Sequence, residues 1–387
     1  MAADLAPSLT PDALRRATPQ RVLMTADTVG GVWTYALELC RGLAAQGTEV
    51  VLASLGRLPD ASQRRAAAAI PGLELHPSSW RLIWMDEPWA DLEAAGEWLM
   101  RLAEETRPDI VHLNDLGQGA LPWRAPVLTV AHSCVLSWWH AVHGCPAPAG
   151  WSRYAAEVRR SIAASDLLVA PSHALLANIR QHYGPLPPAR VIANGSSAPA
   201  RVARTRKAMI LAAGRIWDEA KNLGALAAIA PRLSWPVWVA GPTESPDGHP
   251  VNLRNVTLPG MLAPAELGRH RARAAIYALP ARYEPFGLSI LEAAQAGCAL
   301  VLGDIPSLRE NWDGAALFVP PDDHDALQHA LQGLIDDEMQ RTRLAAAARR
   351  RAARFTAAAM VDAYLQAYAG LAPARASERG QPMEVLP

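Results

Sequence analysis

Lysine is nearly missing from this chain. Lys207 and Lys221 are the only two in 387 residues, and arginine carries the rest of the positive charge. A surplus of either sign is missing as well: 37 basic side chains balance 37 acidic ones. That balance argues against a nucleic-acid partner, which calls for a basic excess. No apolar run approaches the ~20 residues that span a bilayer. Residues 1–20 mix acids and prolines where a secretory leader would carry an apolar stretch. A cytoplasmic protein is the expectation. The cysteines Cys40, Cys134, Cys145 and Cys298 contain no C-x-x-C pair, so no disulfide framework is expected. His132, Cys134, His140, His143 and Cys145 are crowded, but their spacing fits no standard structural zinc site, and no metal is expected.

What is present is globular: half of the residues are apolar and 19% are charged. The length favours two domains over one. Short runs of Val, Ile and Leu alternate with helical patterns. Strands are predicted at 21–25, 49–54, 109–113, 127–131, 166–170 and 190–193, with helices at 33–46, 91–106, 151–164 and 174–183. The aperiodic, arginine-rich segment 196–207 reads as a linker. A second series follows, with strands at 209–213, 237–241, 256–258, 275–279, 299–302 and 316–319 and helices at 223–230, 264–271, 288–296 and 325–336. Residues 338–369 are predicted helical with a break near Phe355, and 371–387 read as a tail. Apolar strands alternating with helices imply parallel sheets covered on both faces. The prediction is α/β: residues 21–195 and 208–354 each form a doubly wound, Rossmann-like sheet, and the two face each other across a deep cleft. Ligands in such sheets sit beyond the carboxyl ends of the strands.

Four motifs fall at such ends. In Glu284-Pro-Phe-Gly-Leu-Ser-Ile-Leu-Glu292, a tight turn opens a helix. The backbone N–H groups of Phe286, Gly287 and Leu288 would then point from the helix end, where orphan donors and the helix dipole favour phosphate. Glu292, one turn in, can accept from ribose hydroxyls, and Glu284 from sugar hydroxyls. In the run from Gly214 to Asn222, Arg215 and Lys221 flank a loop after the first strand of the second series. Together they can clamp a diphosphate and neutralise the charge that grows on it as it leaves. Gly30-Gly31 follows the first strand and permits close backbone approach, without the G-x-G-x-x-G spacing of a dinucleotide site. His132 ends the strand 127–131, where it can meet a substrate hydroxyl or carbonyl.

These motifs, in this order, resemble family 4 retaining glycosyltransferases of the GT-B fold, from Arg21 to Asp336. Asn194-Gly195 resembles the interdomain turn of that family. The segment from Asp304 to Glu310, with 317–322, resembles its downstream region, and Pro259-Gly260-Met261-Leu262 its nucleotide-base loop. The resemblance implies that Arg215 and Lys221 hold the diphosphate, Glu292 the ribose, Glu284 the donor sugar, and Met261 and Leu262 the base. His132 would meet the donor sugar from the opposite domain. It also implies retention of configuration, no required cofactor or metal, and a final helix, 355–370, that returns to the first domain. The donor is expected to be a nucleotide-diphosphate sugar, a UDP-sugar first. The acceptor is expected to be a carbohydrate, a lipid-linked molecule or another small molecule. Two features depart from the family pattern: Ser196-Ser197 replaces the common Val-Asp, and a glycine pair is absent after Asp304.

Each motif has a plainer reading. Glu284 and Glu292 could be solvated helix acids, Arg215 and Lys221 ordinary loop charges, Gly30-Gly31 a simple turn, and His132 a core histidine. Trp138 and Trp139 read as wall or core rather than a stacking platform. Arg341, Arg343, Arg349, Arg350, Arg351 and Arg354 form a basic helical stretch, either a solvated face or a contact with anionic lipid. Rival functions are a nucleotide-sugar epimerase or hydrolase on the same fold, and a non-catalytic sugar-nucleotide-binding subunit.

Overall fold

The computed structural model describes residues 18–197, 205–244, 248 and 250–371. Residues 1–20, the expected tail 371–387 and the centre of the expected linker lie almost wholly outside these residues.

The N-terminal half runs β1 (Arg21–Asp27), α1 (Gly31–Ala45), β2 (Glu49–Leu55), α2 (Ala61–Ala68), β3 (Leu73–Pro77), α3 (Trp89–Thr106), β4 (Ile110–Leu113), β5 (Val127–Val130), α4 (Val135–His143), α5 (Ser152–Ala164), β6 (Leu167–Ala170), α6 (His173–Tyr183) and β7 (Ala189–Val191). The C-terminal half runs β8 (Lys207–Ala213), α7 (Leu223–Ile229), β9 (Val237–Ala240), β10 (Thr257–Gly260), α8 (Pro264–Arg273), β11 (Ala274–Leu279), α9 (Leu288–Gln295), β12 (Ala299–Gly303), α10 (Pro306–Trp312), β13 (Leu317–Val319) and α11 (His324–Asp336). Two helices close the described chain, α12 (Glu338–Ala352) and α13 (Ala357–Leu371).

Two parallel sheets result, ordered β3-β2-β1-β4-β5-β6-β7 and β10-β9-β8-β11-β12-β13. The expected pair of doubly wound sheets is therefore the fold. Central strands are buried on both faces: every residue of β4, β5, β6, β11 and β12 is inside. In each sheet the order reverses beside its first strand, between β1 and β4 and between β8 and β11. Those switch points leave crevices at the carboxyl ends, and all four motifs lie at carboxyl ends of these sheets.

Four elements escape the apolar pattern. Helix α2 buries only Ala67, so it has no stripe to detect, although Asp60 and Gln63 form a reciprocal capping box at its start. Strand β3 is an edge strand ending in a proline. Helix α4 buries only Ser137, and α10 is a single short stretch opened by Pro306.

The last helix crosses back. Residue Ser196 pairs with Thr356 in an isolated parallel bridge. Beyond it, α13 packs on α1, and Met360, Val361, Tyr364, Leu365 and Tyr368 join the core beneath the N-terminal sheet. Gly42 makes the approach possible, because a Cβ there would collide with Val361.

Candidate functional site

In the C-terminal half, Arg215 and Lys221 lie on the loop after β8, as the sequence predicts. Neither stands as a free cation. Arg215 Nη2 is 2.7 Å from Asp218 Oδ2, and Lys221 Nζ is 2.7 Å from Glu284 Oε2. The reason is burial. The Lys221 and Glu284 side chains are only 13% and 14% exposed, and Asp218 only 3%. Charges so enclosed require partners. Burial pushes the Asp218 carboxyl up, but Arg215, Lys221 and the Trp138 indole hold it below the usual range. Burial works against the Arg215 guanidinium, and Asp218, Asp27 and Glu284 more than compensate.

Glu284 also faces the turn that opens α9. Its Oε1 accepts a long hydrogen bond, 3.4 Å, from Phe286 N. The predicted donor trio is thus divided: the Phe286 amide has an acceptor, while no acceptor among the described residues is seen for the Gly287 and Leu288 amides. Gly287 is the N-cap at φ 89°, a left-handed conformation that suits glycine. The Phe286 ring is core, edge-on to Phe355 with ring centroids 5.4 Å apart. Glu292 does not stand free either. Arg271 of α8 is 2.5 Å from its Oε2. Burial raises the Glu292 carboxyl, and Arg271 opposes that rise.

The N-terminal half supplies the facing wall. Gly30 caps α1 without a side-chain oxygen, and a Cβ there would lie 3.1 Å from Arg215 Nη1. A Cβ on Gly31 would lie 3.8 Å from the Leu288 side chain. The amino ends of α1 and α9 therefore approach from opposite sheets, with Arg215 between the glycine pair and Asp218. His132 follows β5, half-buried, and its ring meets Tyr35 edge-on at 4.5 Å. Two residues on, Cys134 N donates to Tyr283 Oη at 3.1 Å, which sets His132 beside the Glu284 segment. Burial pushes the His132 ring down to about 3, with His112 adding to the effect, so it is neutral at neutral pH.

Several residues enter that the sequence reading left without a role. Trp138 Nε1 donates across the cleft to Asp218 Oδ1 at 2.9 Å, so this indole is neither stacking platform nor simple wall. Ser172 Oγ donates to Pro285 O at 2.9 Å, and the Glu310 carboxylate accepts the His173 and Ala174 amides at 2.8 and 2.9 Å. Asp27 and Asp115, at the ends of β1 and β4, are neighbouring carboxyls. Burial raises both, and Asp115, further raised by Asp27, reaches about 6. Asn114 joins His112 to His132. Of these, Asp218, Pro285 and Glu310 lie inside motifs singled out in the sequence. Trp138 on α4, His112 on β4, and Asp27, Asn114, Asp115 and Ser172 at or just past strand ends carry no distinguishing pattern of their own.

Three further groups singled out in the sequence have the following surroundings. Met261 is exposed, and Leu262 packs on the C-terminal core. Cys145 is exposed, buried Cys134 meets Tyr183 Oη, and His143 stacks on Trp139; among the described residues no three His, Cys, Asp or Glu side chains converge as a metal site. In the basic stretch, Arg341 bonds the Leu334 and Ile335 carbonyls and Arg351 that of Asp313, whereas Arg343, Arg349, Arg350 and Arg354 are exposed. Among the described residues no helix is long and apolar enough to cross a membrane.

Known proteins share the family and the fold. Residues 29–197 match the family model described as Glycosyltransferase Family 4, and residues 207–337 that described as Glycosyl transferases group 1. A glycogen synthase of Mycobacterium tuberculosis is 31% identical over 371 residues, covering 84% of this chain and 86% of the relative. Among solved structures, sucrose-phosphate synthase from Thermosynechococcus elongatus superposes with a TM-score of 0.76 at 19% identity, over 91% of this chain and 99% of that one. Anabaena Alr3699/HepE in complex with UDP and glucose gives 0.71 at 15% identity, over 91% and 100%.

Proposed function

The chain belongs to glycosyltransferase family 4, and from that premise we propose that it moves a sugar, with retention of configuration, from a nucleotide-diphosphate donor to a hydroxyl-bearing acceptor. The donor is a UDP-hexose first. The donor lies along the carboxyl ends of β8 and β11, and the acceptor over the N-terminal sheet. The carrying observation is the meeting of Arg215, Lys221 and the amino ends of α1 and α9 at one place. Four sources of positive potential there suit a diphosphate and little else.

Asp218 and Glu284 hold these cations before the donor arrives. The diphosphate would take a share of Arg215 and Lys221 while Asp218 keeps Arg215 in line. As the glycosidic bond breaks, its electron pair goes to the diphosphate oxygen. Cations and amides already placed there bind that transition state more tightly than the intact donor. The acceptor hydroxyl then attacks from the face the diphosphate leaves, and its proton can pass to the departing phosphate. Glu292 accepts from the ribose with the lone pairs Arg271 leaves over, and Glu284 and His132 bracket the sugar. The UDP and glucose named with HepE, and the glycogen synthase among the relatives, support a hexosyl donor.

The test is a thermal-shift panel of UDP, GDP, ADP and their hexoses, followed by product analysis with donor alone and with acceptors. A ligand at a hundred times its dissociation constant stabilises the native state by about 2.7 kcal/mol. One nucleotide sugar should raise the melting temperature above the rest, and transfer should need an acceptor. Free sugar or an epimerised donor formed at full rate without acceptor would overturn the reading.

A further inference from the structure

Behind His132 lies a buried run of polar side chains drawn from β1, β4, α1 and α13. Asn114 anchors it. Its Nδ2 donates to Thr25 O at 2.8 Å, and its backbone N donates to Thr25 Oγ1 at 2.8 Å. The amide group is thereby oriented: turning it over would set two carbonyl oxygens against each other. Oδ1 then points the other way, 2.8 Å from His132 Nε2 and 3.1 Å from His112 Nε2. An amide oxygen only accepts, so each facing nitrogen must carry a hydrogen. A neutral imidazole has one N–H, which leaves His112 Nδ1 as an acceptor. It receives the Tyr368 hydroxyl hydrogen at 2.6 Å. Burial keeps both rings neutral, each pushed down to about 3. The Tyr35 ring, edge-on to His132, limits its rotation.

We infer that Asn114 is a positioning residue that holds His132 as its Nε2–H tautomer, with Thr25, His112 and Tyr368 holding Asn114 in turn. His132 Nδ1 is left as a bare lone pair with no partner among the described residues. On the side away from Asn114 the ring accepts and cannot donate. The ligand group it selects is a hydroxyl with a hydrogen to give; a carboxylate or carbonyl at that position has none. The ring assignment stands on this geometry alone, whereas the identity of that hydroxyl as one on the transferred sugar rests on the transferase reading. The device also makes the last helix part of the site, because Tyr368 on α13 closes the relay.

The experiment is long-range 1H–15N NMR of the histidine rings in the full-length protein, with the His132 signals assigned from the His132→Gln variant. The expected pattern is a protonated Nε2 and an unprotonated Nδ1. In Asn114→Leu the acceptor is gone, so the Nδ1–H form should appear as a substantial fraction. Turnover should fall at least tenfold, while the Michaelis constant for acceptor changes little. Wild-type His132 in the Nδ1–H form overturns the inference, and so does Asn114→Leu with the ring state and turnover of the wild type. If Asn114→Leu does not fold, the wild-type ring pattern decides alone. A protein with the Nε2–H ring that transfers no sugar would sink the proposed function and leave this inference standing.

Discussion

At the scale of single residues, the site is governed by charges that burial forces into pairs. Asp218 and Glu284 pair with Arg215 and Lys221, and in the proposed reaction those two cations stabilise the charge that grows on the diphosphate. Removing one stabiliser of a transition-state charge commonly costs about a hundredfold or more in turnover. Arg215→Ala and Lys221→Ala should each show that loss in kcat at saturating donor. Variants that change only the Michaelis constant would reduce the pair to a tether. Lys221→Arg should recover part of the activity, since a guanidinium sets its charge on a broader fork. Turnover should also survive exhaustive EDTA treatment; activity lost to EDTA and restored by magnesium or manganese would overturn the metal-free proposal. Asp115 offers a pH test. Its carboxyl is pushed from 3.8 up to about 6 in the folded protein, foremost by burial. A raised acid contributes stability while protonated and loses it as pH rises through the folded value. The cost at pH 8 is roughly 3 kcal/mol for a shift of this size. Asp115→Asn should therefore gain stability relative to wild type between pH 4 and pH 8, read from paired denaturant melts. An unchanging difference across that range would mean that Asp115 ionises normally.

At the scale of elements, the turn into α9 carries most of the design. Gly287 sits at φ 89°, and a Cβ there would lie 2.6 Å from Ile290 Cδ1. Forcing a side chain into such a conformation costs of order 1–3 kcal/mol. It would also disturb the amides at the helix end. Gly287→Ala should lower the melting temperature and weaken donor binding together, measured by calorimetry. A stable variant with wild-type affinity would show that α9 tolerates another start. The apolar period made α9, α1 and the inner strands legible in advance. It could not reveal α4, whose importance lies in one indole reaching Asp218 rather than in a buried stripe. The basic period of α12 likewise said nothing about which arginines bond carbonyls, since that depends on where α11 and α10 end.

At the scale of the whole molecule, α13 ties the far end of the described chain to the first sheet. Tyr364 is fully buried there beside Tyr35 and His112. Truncating a large buried aromatic typically costs about 3–5 kcal/mol. Tyr364→Ala should destabilise the N-terminal half by that order, seen in chemical denaturation and in faster proteolysis of segments near α1. Unfolding indistinguishable from wild type would show that α13 merely rests on the surface.

What the sequence determined by itself is the alternation of strands and helices, the two-sheet fold, and the four motifs at strand ends. These follow from local periodicity and from residue types, both carried by neighbours in the chain. What only the tertiary structure decided is which groups face one another. Lys221 meets Glu284 and Glu292 meets Arg271 only because β8, α8 and β11 are neighbours in three dimensions. Asp218 meets Trp138 only because the two sheets face each other. His112, Asn114 and Tyr368 form one hydrogen-bonded run across 256 residues of chain. Hydrogen-bond partners are chosen by distance in space, and a single sequence records distance only along the backbone.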